Sequence, residues 1–175
     1  MEAADVQSFR AAFAKIKTRF DAQSNAQNDA RNSSVLICKQ GFYNRCSVLK
    51  LQKPSRTNDR MDRVQNKTGI FFSVWIDERA ASKHRANFNI HALKLRRLKG
   101  YSITSRNFAH DFREAFASMR DNWPNVSVDF GPLTLMQGYI ELVPKNFEQD
   151  ILALLQHFKP VSRLIDRLLN SRRLP

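Results

Sequence analysis

The sequence predicts an α+β protein, with a single antiparallel-leaning sheet of about five to six strands, helices packed on one face, and an amphipathic helix at the N-terminus. Three observations carry this. Apolar residues recur at spacings of three and four near both ends of the chain and again around Phe108–Met119, as buried helix faces require. Between those stretches, runs rich in β-branched and aromatic residues alternate with period two, as half-buried strands do. The resulting order, α–β–β–β–β–α–β–β–α–α, groups strands together rather than interleaving each with a helix, which favours antiparallel pairing with helices segregated to one side.

The first helix is expected over about residues 5–22, with Asp5 as N-cap and Val6, Phe9, Phe13, Ile16 and Phe20 on one side. The stretch DAQSNAQNDARNSS that follows has no large apolar residue. Residues 1–33 therefore read as an amphipathic helix plus polar linker, and 34–175 as a single α+β domain. A hairpin is expected in SVLICKQGFYNRCSVLKLQ, broken at Gly41. A turn over Gln40–Asn44 would set Cys38 and Cys46 across from each other, although a reducing compartment favours free thiols. Residues 52–68 combine charge, Pro54 and turn formers and read as a long basic loop, a feature that in compact domains tends to be functional or disordered.

GIFFSVWIDE is the clearest strand: Ile70, Phe72, Val74 and Ile76 fall on one face, and Phe71, Ser73, Trp75 and Asp77 on the other. Phe71 and Trp75 are then either covered by a helix or offered as stacking platforms. The next strand puts Phe88, Ile90 and Ala92 on one face, but beyond Ala92 the sense reverses, with Leu93 and Leu95 apolar and Lys94 and Arg96 charged. Either a bulge near Ala92–Leu93 or a short helix over 91–99 ended by Gly100 accounts for the reversal. Thr104 or Ser105 caps a helix with Phe108, Phe112, Phe116 and Met119 inside, stopped at Trp123–Pro124–Asn125. VSVDF and LTLMQGYIELV are two strands joined at Gly131–Pro132. Asn146 with Gln149 forms a capping box for a helix bearing Phe147, Ile151, Leu154, Leu155 and Phe158, and Pro160 restarts a final helix.

Composition narrows the function. A 42% hydrophobic content with 13 Phe excludes wholesale disorder, and no apolar run approaches the roughly 18 residues of a membrane helix. MEAADVQSFR has acids where a secretory signal carries Lys or Arg, so a cytoplasmic location is expected. The net charge is +13, and it is segregated. Residues 30–58 hold six basic residues and residues 79–110 hold eight, neither window containing an acid, whereas 111–158 hold three basic against seven acidic. That asymmetry points to a polyanionic partner.

Devices for catalysis are sparse. His84, His91, His110 and His157 form no pair at ligand spacing with one another or with a cysteine, so no metal is expected. G-x-S-x-G, P-loop and G-x-G-x-x-G motifs are absent and no cofactor is expected. A metal-dependent nuclease needs only two or three carboxylates, for which Asp77, Asp129 and Glu141 with Lys145 are the candidates. His110 and Arg113, one helical turn apart, either meet a phosphate or form a solvent face.

From residue 88 to about 170, a strand (FNIHALKL), a helix (RNFAHDFREAF), a Trp-Pro-Asn loop, a strand ending GYIELV and a helical C-terminus (FEQDILALLQHFKPVSRLIDRLL) follow one another. This part resembles the small YjbR/MmcQ-type proteins, whose fold has been called a double wing and associated with DNA binding. The resemblance implies the same association here and transfers no site residue. The expected function is a non-enzymatic basic domain that binds nucleic acid, DNA or RNA, through phosphates with little sequence specificity. Its contact residues would be Arg79, Lys83, Arg85, Lys94, Arg96, Arg97 and Lys99, joined by Arg60 and Arg63 from the loop, with Phe71 and Trp75 for stacking. The alternative is a protein-interaction module that offers the basic face to an acidic partner protein, or dimerises through its N-terminal helix.

Overall fold

A computed structural model describes residues 6–26, 35–61 and 64–175; Asp5, the linker residues 27–34 and Arg63 lie outside the described residues. Helix α1 spans Val6–Ala26, followed by strands β1 (Ile37–Tyr43), β2 (Cys46–Thr57) and β3 (Gly69–Ile76). A short helix α2 (Glu78–Ser82) leads to β4 (Arg85–Leu93), then α3 (Ser105–Phe116), β5 (Val126–Ser127), β6 (Thr134–Glu141) and α4 (Phe147–Asn170). The six strands form one open sheet in the order β1-β2-β3-β4-β6-β5, with every neighbouring pair antiparallel. Among the described residues, no helix is long and apolar enough to cross a membrane.

The period-two pattern of β3 decides which face receives the helices. Leu49, Val74, Phe88 and Gly138 lie in one cross-strand row, and Leu51, Phe72 and Ile90 in the next, all pointing to the side of α1, α3 and α4. Phe158 of α4 is the hub on that side, 4.6 Å ring to ring from Phe72, 5.3 Å from Trp123 and 6.0 Å from Phe88. Phe13, Ile16 and Phe20 bring α1 into the same cluster over β1 and β2. Each buried side chain of this size stabilises the fold by roughly 1.5–3 kcal/mol relative to exposure.

Several expectations are corrected. The hairpin turn is Asn44–Arg45, both with positive φ (47° and 60°), a two-residue turn whose twist matches that of the strands. Gly41 therefore lies within β1, and Cys38 faces Leu51 rather than Cys46. Strand β2 runs through Thr57, so the loop begins at residue 58; Pro54 is tolerated because residues 53–56 have no ladder partner on either side. Residues 128–130 are not strand. Asn146 makes no side-chain cap, and α4 passes through Pro160 without restarting, because Phe158, Val161, Leu164 and Ile165 continue one buried stripe across it. That packing offsets the single lost backbone hydrogen bond. The cap of α3 is Thr104, whose hydroxyl accepts from Asn107 N at 3.1 Å.

Two cations expected in a solvated loop are instead inside the protein. Arg56, 1% exposed, donates through Nη2 to Asp166 Oδ1 and to the Ser162 carbonyl, both at 2.6 Å, and to the Ser162 hydroxyl at 2.8 Å. Lys53 Nζ donates to the other carboxylate oxygen of Asp166. This network ties β2 to α4. Burial pushes the Asp166 carboxyl up, and Arg56 and Lys53 together outweigh it and hold it below its ordinary value. Asp166→Ala leaves two buried cations unpaired and is expected to destabilise by about 3 kcal/mol, measured by denaturant unfolding. With its carboxyl pKa depressed on folding, Asp166 contributes stability above the unfolded value near 3.8 and loses it as pH falls through the folded value. The variant should therefore show a shallower decline in stability below pH 4.

Candidate functional site

Among the described residues, none of the three long helices packs on the opposite face of the sheet. Its cross-strand rows are Val48–Trp75–Asn87–Tyr139, Lys50–Ser73–Asn89–Gln137 and Gln52–Phe71–His91. Residues 58–61 and 64–67 fold back over these rows as a lid, and an open-mouthed cavity of about 720 Å3 lies between them and the strands. The expected choice for Phe71 and Trp75 resolves differently for each. Phe71 is 7% exposed, with Lys50 Nζ 4.8 Å above its ring and the His91 ring 5.3 Å away, so it is no open platform. Trp75 is half-buried and lines the cavity.

Local chemistry shapes the lid. Asp59 Oδ2 accepts from the backbone N–H groups of Lys67 (2.6 Å) and Thr68 (2.8 Å), closing the loop at its base. Asn66 receives a hydrogen bond from Lys50 and donates to Thr57 Oγ1. Val64 seats against Gly41, where a Cβ would stand 2.4 Å from its Cγ2. Asn58 hooks the lid to the next segment, donating to the Arg97 carbonyl and accepting from Lys99 N at 3.0 Å. Sequence reasoning had no reason to single out Asn58, Asp59, Val64 or Asn66; the Asn and Asp content of the loop marks a turn, but not which strand it lies on.

Burial controls the cavity's ionisable groups. Lys50, 1% exposed, is lowered to about 8 by desolvation, which Asp59 partly opposes. Burial also lowers His91, against the opposing hydrogen bond to the Leu133 carbonyl. His91 Nδ1 lies 3.2 Å from both that carbonyl and Thr134 Oγ1, and Nε2 lies 2.9 Å from Asn89 Nδ2; with the hydrogen on Nδ1 the ring donates to the carbonyl and Nε2 accepts from Asn89. Asn89 Oδ1 is left buried with no partner among the described residues. Elsewhere, desolvation raises the Cys38 thiol to about 12, and both cysteines are free.

The basic window 79–110 is divided by the strand it contains. Arg79 and Lys83 are exposed on and just after α2, and Arg85 starts β4, 3.9 Å over the Tyr139 ring and paired with Glu141 at 3.5 Å. Lys94, Arg96, Arg97 and Lys99 lie beyond the other end of β4, roughly 26 Å away at about 3.3 Å per residue. Lys94 is left-handed (φ 49°) and is followed by a 3-10 turn, Leu95–Arg97, which turns Leu95 and Leu98 into the core while the cations stay outside. The reversed alternation thus comes from a strand end and a short 3-10 turn. It is neither a bulge at Ala92–Leu93 nor a helix over 91–99, although Gly100 (φ 84°) does end the segment. None of these four cations has an acidic partner among the described residues, and Arg106 at the start of α3 shares a cleft with Lys94, Arg96 and Arg97. Arg60, on the lid, lines the cavity.

The remaining candidates have structural uses. Asp77 caps α2 through Ala80 N (2.6 Å), Asp129 sits in a turn with Ser127, and Glu141 meets Arg85. Among the described residues no three His, Cys, Asp or Glu side chains gather as a metal site. Arg113 is not a phosphate partner for His110: it braces the turn before β6, donating to the carbonyls of Phe130 (2.7 Å), Gly131 and Thr134. Compared with family models, curated proteins and solved structures, the chain matches none.

Two outcomes test the lid. Gly41→Val should displace Val64 and expose the loop, so trypsin is expected to cut at Arg60 or Lys67 several-fold faster than in the wild type; unchanged cleavage would show that the lid does not depend on this contact. Because folded Lys50 loses its proton near 8 and an unfolded lysine near 10.5, the fold gains stability as pH rises between those values. Lys50→Met should lack that rise, as read from denaturation midpoints at pH 7.5 and 10.

Proposed function

We propose that the protein is a cytoplasmic, non-enzymatic nucleic-acid-binding domain whose phosphate-contacting surface is the edge formed by Lys94, Arg96, Arg97 and Lys99, with Arg106 and Arg60 beside them. The observation that carries this reading is the arrangement of Lys94, Arg96, Arg97 and Lys99: exposed, within one short segment, without acidic partners among the described residues, and on a turn anchored by Leu95 and Leu98. Fixed cations on a rigid scaffold bind phosphates by counterion release and carry little sequence information. The N-terminus of α3 adds its backbone N–H groups at the same cleft. The resemblance of residues 88–170 to YjbR/MmcQ-type proteins points the same way. Two unpaired thiols, Cys38 and Cys46, fit a reducing compartment.

The division of the basic window makes the proposal specific about position. Arg85 is already engaged by Tyr139 and Glu141, so the α2 end contributes less. Alanine at Lys94, Arg96 and Arg97 together should weaken binding to duplex DNA, single-stranded DNA and RNA and reduce the log–log salt slope on duplex by about 2.7, at roughly 0.9 per phosphate. Alanine at Arg79 and Lys83 should change the slope by less than one unit. Fluorescence anisotropy over a salt series reads both, and equal effects from the two ends would move the surface elsewhere.

A further inference from the structure

We infer that the phosphate-binding edge continues onto the last turns of α4, where Arg163, Arg167 and Arg173 join the cations of residues 94–99 in one ridge that takes the backbone of a double-stranded nucleic acid. Two sets of contacts join the ridge. Beyond α4 the chain runs antiparallel to the segment that follows the 3-10 turn: Tyr101 and Arg173 form an isolated β-bridge, Ser102 N donates to the Arg172 carbonyl at 2.9 Å, and Leu174 N donates to the Gly100 carbonyl at 3.0 Å. The end of β2 reaches both partners within three residues, Arg56 holding Ser162 and Asp166 of α4 and Asn58 holding the backbone of Arg97 and Lys99. The α4 turn that bears Arg163 and Arg167 and the turn that bears Arg96 and Arg97 are therefore neighbours at one end of the sheet.

Charge gives the ridge its partner class. Arg163, Arg167 and Arg173 are exposed, and none has an ion-pair partner among the described residues. Two carboxylates at this end are already held, Asp166 by Arg56 and Lys53, and Asp111 by Arg172 at 2.9 Å. The added cations therefore extend an unneutralised surface toward a polyanion. The aromatic residues then decide between its two forms. A single strand draws much of its affinity from bases stacked on exposed rings, whereas a duplex hides its bases and offers a stiff, regular row of charges, about one per 1.7 Å of axis. The exposed aromatic side chains, Phe42 and Tyr43, lie on the β1–β2 hairpin at the opposite end of the sheet, Tyr101 packs against the core, and residues 1–5, 27–34, 62 and 63 contain no aromatic. The ridge thus presents cations without rings, held in place relative to one another by backbone hydrogen bonds. From Arg163 to the end of α4 at Asn170 is about 10 Å at 1.5 Å per residue, so the α4 half alone spans several duplex charges. This inference rests on the nucleic-acid reading above and adds to it a second group of residues and the form of the nucleic acid.

The test is fluorescence anisotropy over a salt series with the full chain, using a short duplex DNA and one of its own strands. The wild type should bind the duplex more tightly than the single strand at each salt concentration. Arg163→Ala together with Arg167→Ala should weaken duplex binding and lower its log–log salt slope by about 1.8, at roughly 0.9 per phosphate. Exposed helix positions accept alanine readily, and circular dichroism confirms the fold. If that pair fails to fold, Arg163→Gln together with Arg167→Gln removes the same charges and keeps the long side chains. A duplex weakened by alanine at Lys94, Arg96 and Arg97 but untouched by the α4 pair overturns the ridge and leaves the nucleic-acid reading standing. A duplex weakened by the α4 pair alone overturns the edge at residues 94–99 and the joined ridge with it. A single strand bound as tightly as the duplex overturns the assignment to a double-stranded form. No binding of either nucleic acid overturns both this inference and the reading on which it rests.

Discussion

Three long helices lie on one face of a six-stranded sheet, so the other face has to be made compatible with water by something other than a helix. Here residues 58–61 and 64–67, between β2 and β3, fold back over it. The consequences spread through the whole site. Lys50 is buried although it sits on a face without a helix, because the lid covers it and Asn66 receives its hydrogen bond. Phe71 is enclosed between Lys50 and His91. Where lid and strands do not meet, a cavity with polar and aromatic walls remains.

The lid keeps its place through small, specific devices rather than through area. Gly41 provides the space for Val64, Asp59 ties the base of the loop, and Asn58 fastens it to the 3-10 turn that bears Arg97. Each acts between segments distant in sequence. The second long-range fastening, Arg56 and Lys53 on Asp166, holds β2 to α4 on the helix side just before the lid begins. The strand that launches the lid is thus anchored below and covered above. A buried cation pair sharing one carboxylate is sensitive to loss of that carboxylate, which makes Asp166 a structural residue despite its place on a helix surface.

Charge in this protein divides by position in the fold. Lys50, Lys53 and Arg56 lie within one basic window, yet all three point into enclosed sites. The other window is cut by nine residues of strand into two groups at opposite ends of the sheet. Only the group after β4 is concentrated within one short segment and without acidic partners among the described residues. A net charge of +13 therefore does not by itself locate a surface; the fold concentrates exposed cations in a few residues at one corner.

The sequence by itself determined the class of fold, because amphipathic periodicity is local: Phe13–Ile16–Phe20, Ile70–Phe72–Val74–Ile76 and Phe108–Phe112–Phe116 each show their buried side without knowledge of any partner. It also singled out Lys94–Lys99 as charged heads on leucine anchors. It did not reveal that β2 runs past Pro54, that α4 passes through Pro160, or that the two basic groups separate, since each depends on which strands pair and which packing offsets a lost hydrogen bond. The lid and its cavity belonged wholly to the tertiary structure. Val64 against Gly41 and Asn58 on the Arg97 carbonyl are contacts between residues far apart in the chain, made only once the strands pair and carry the loop back over them.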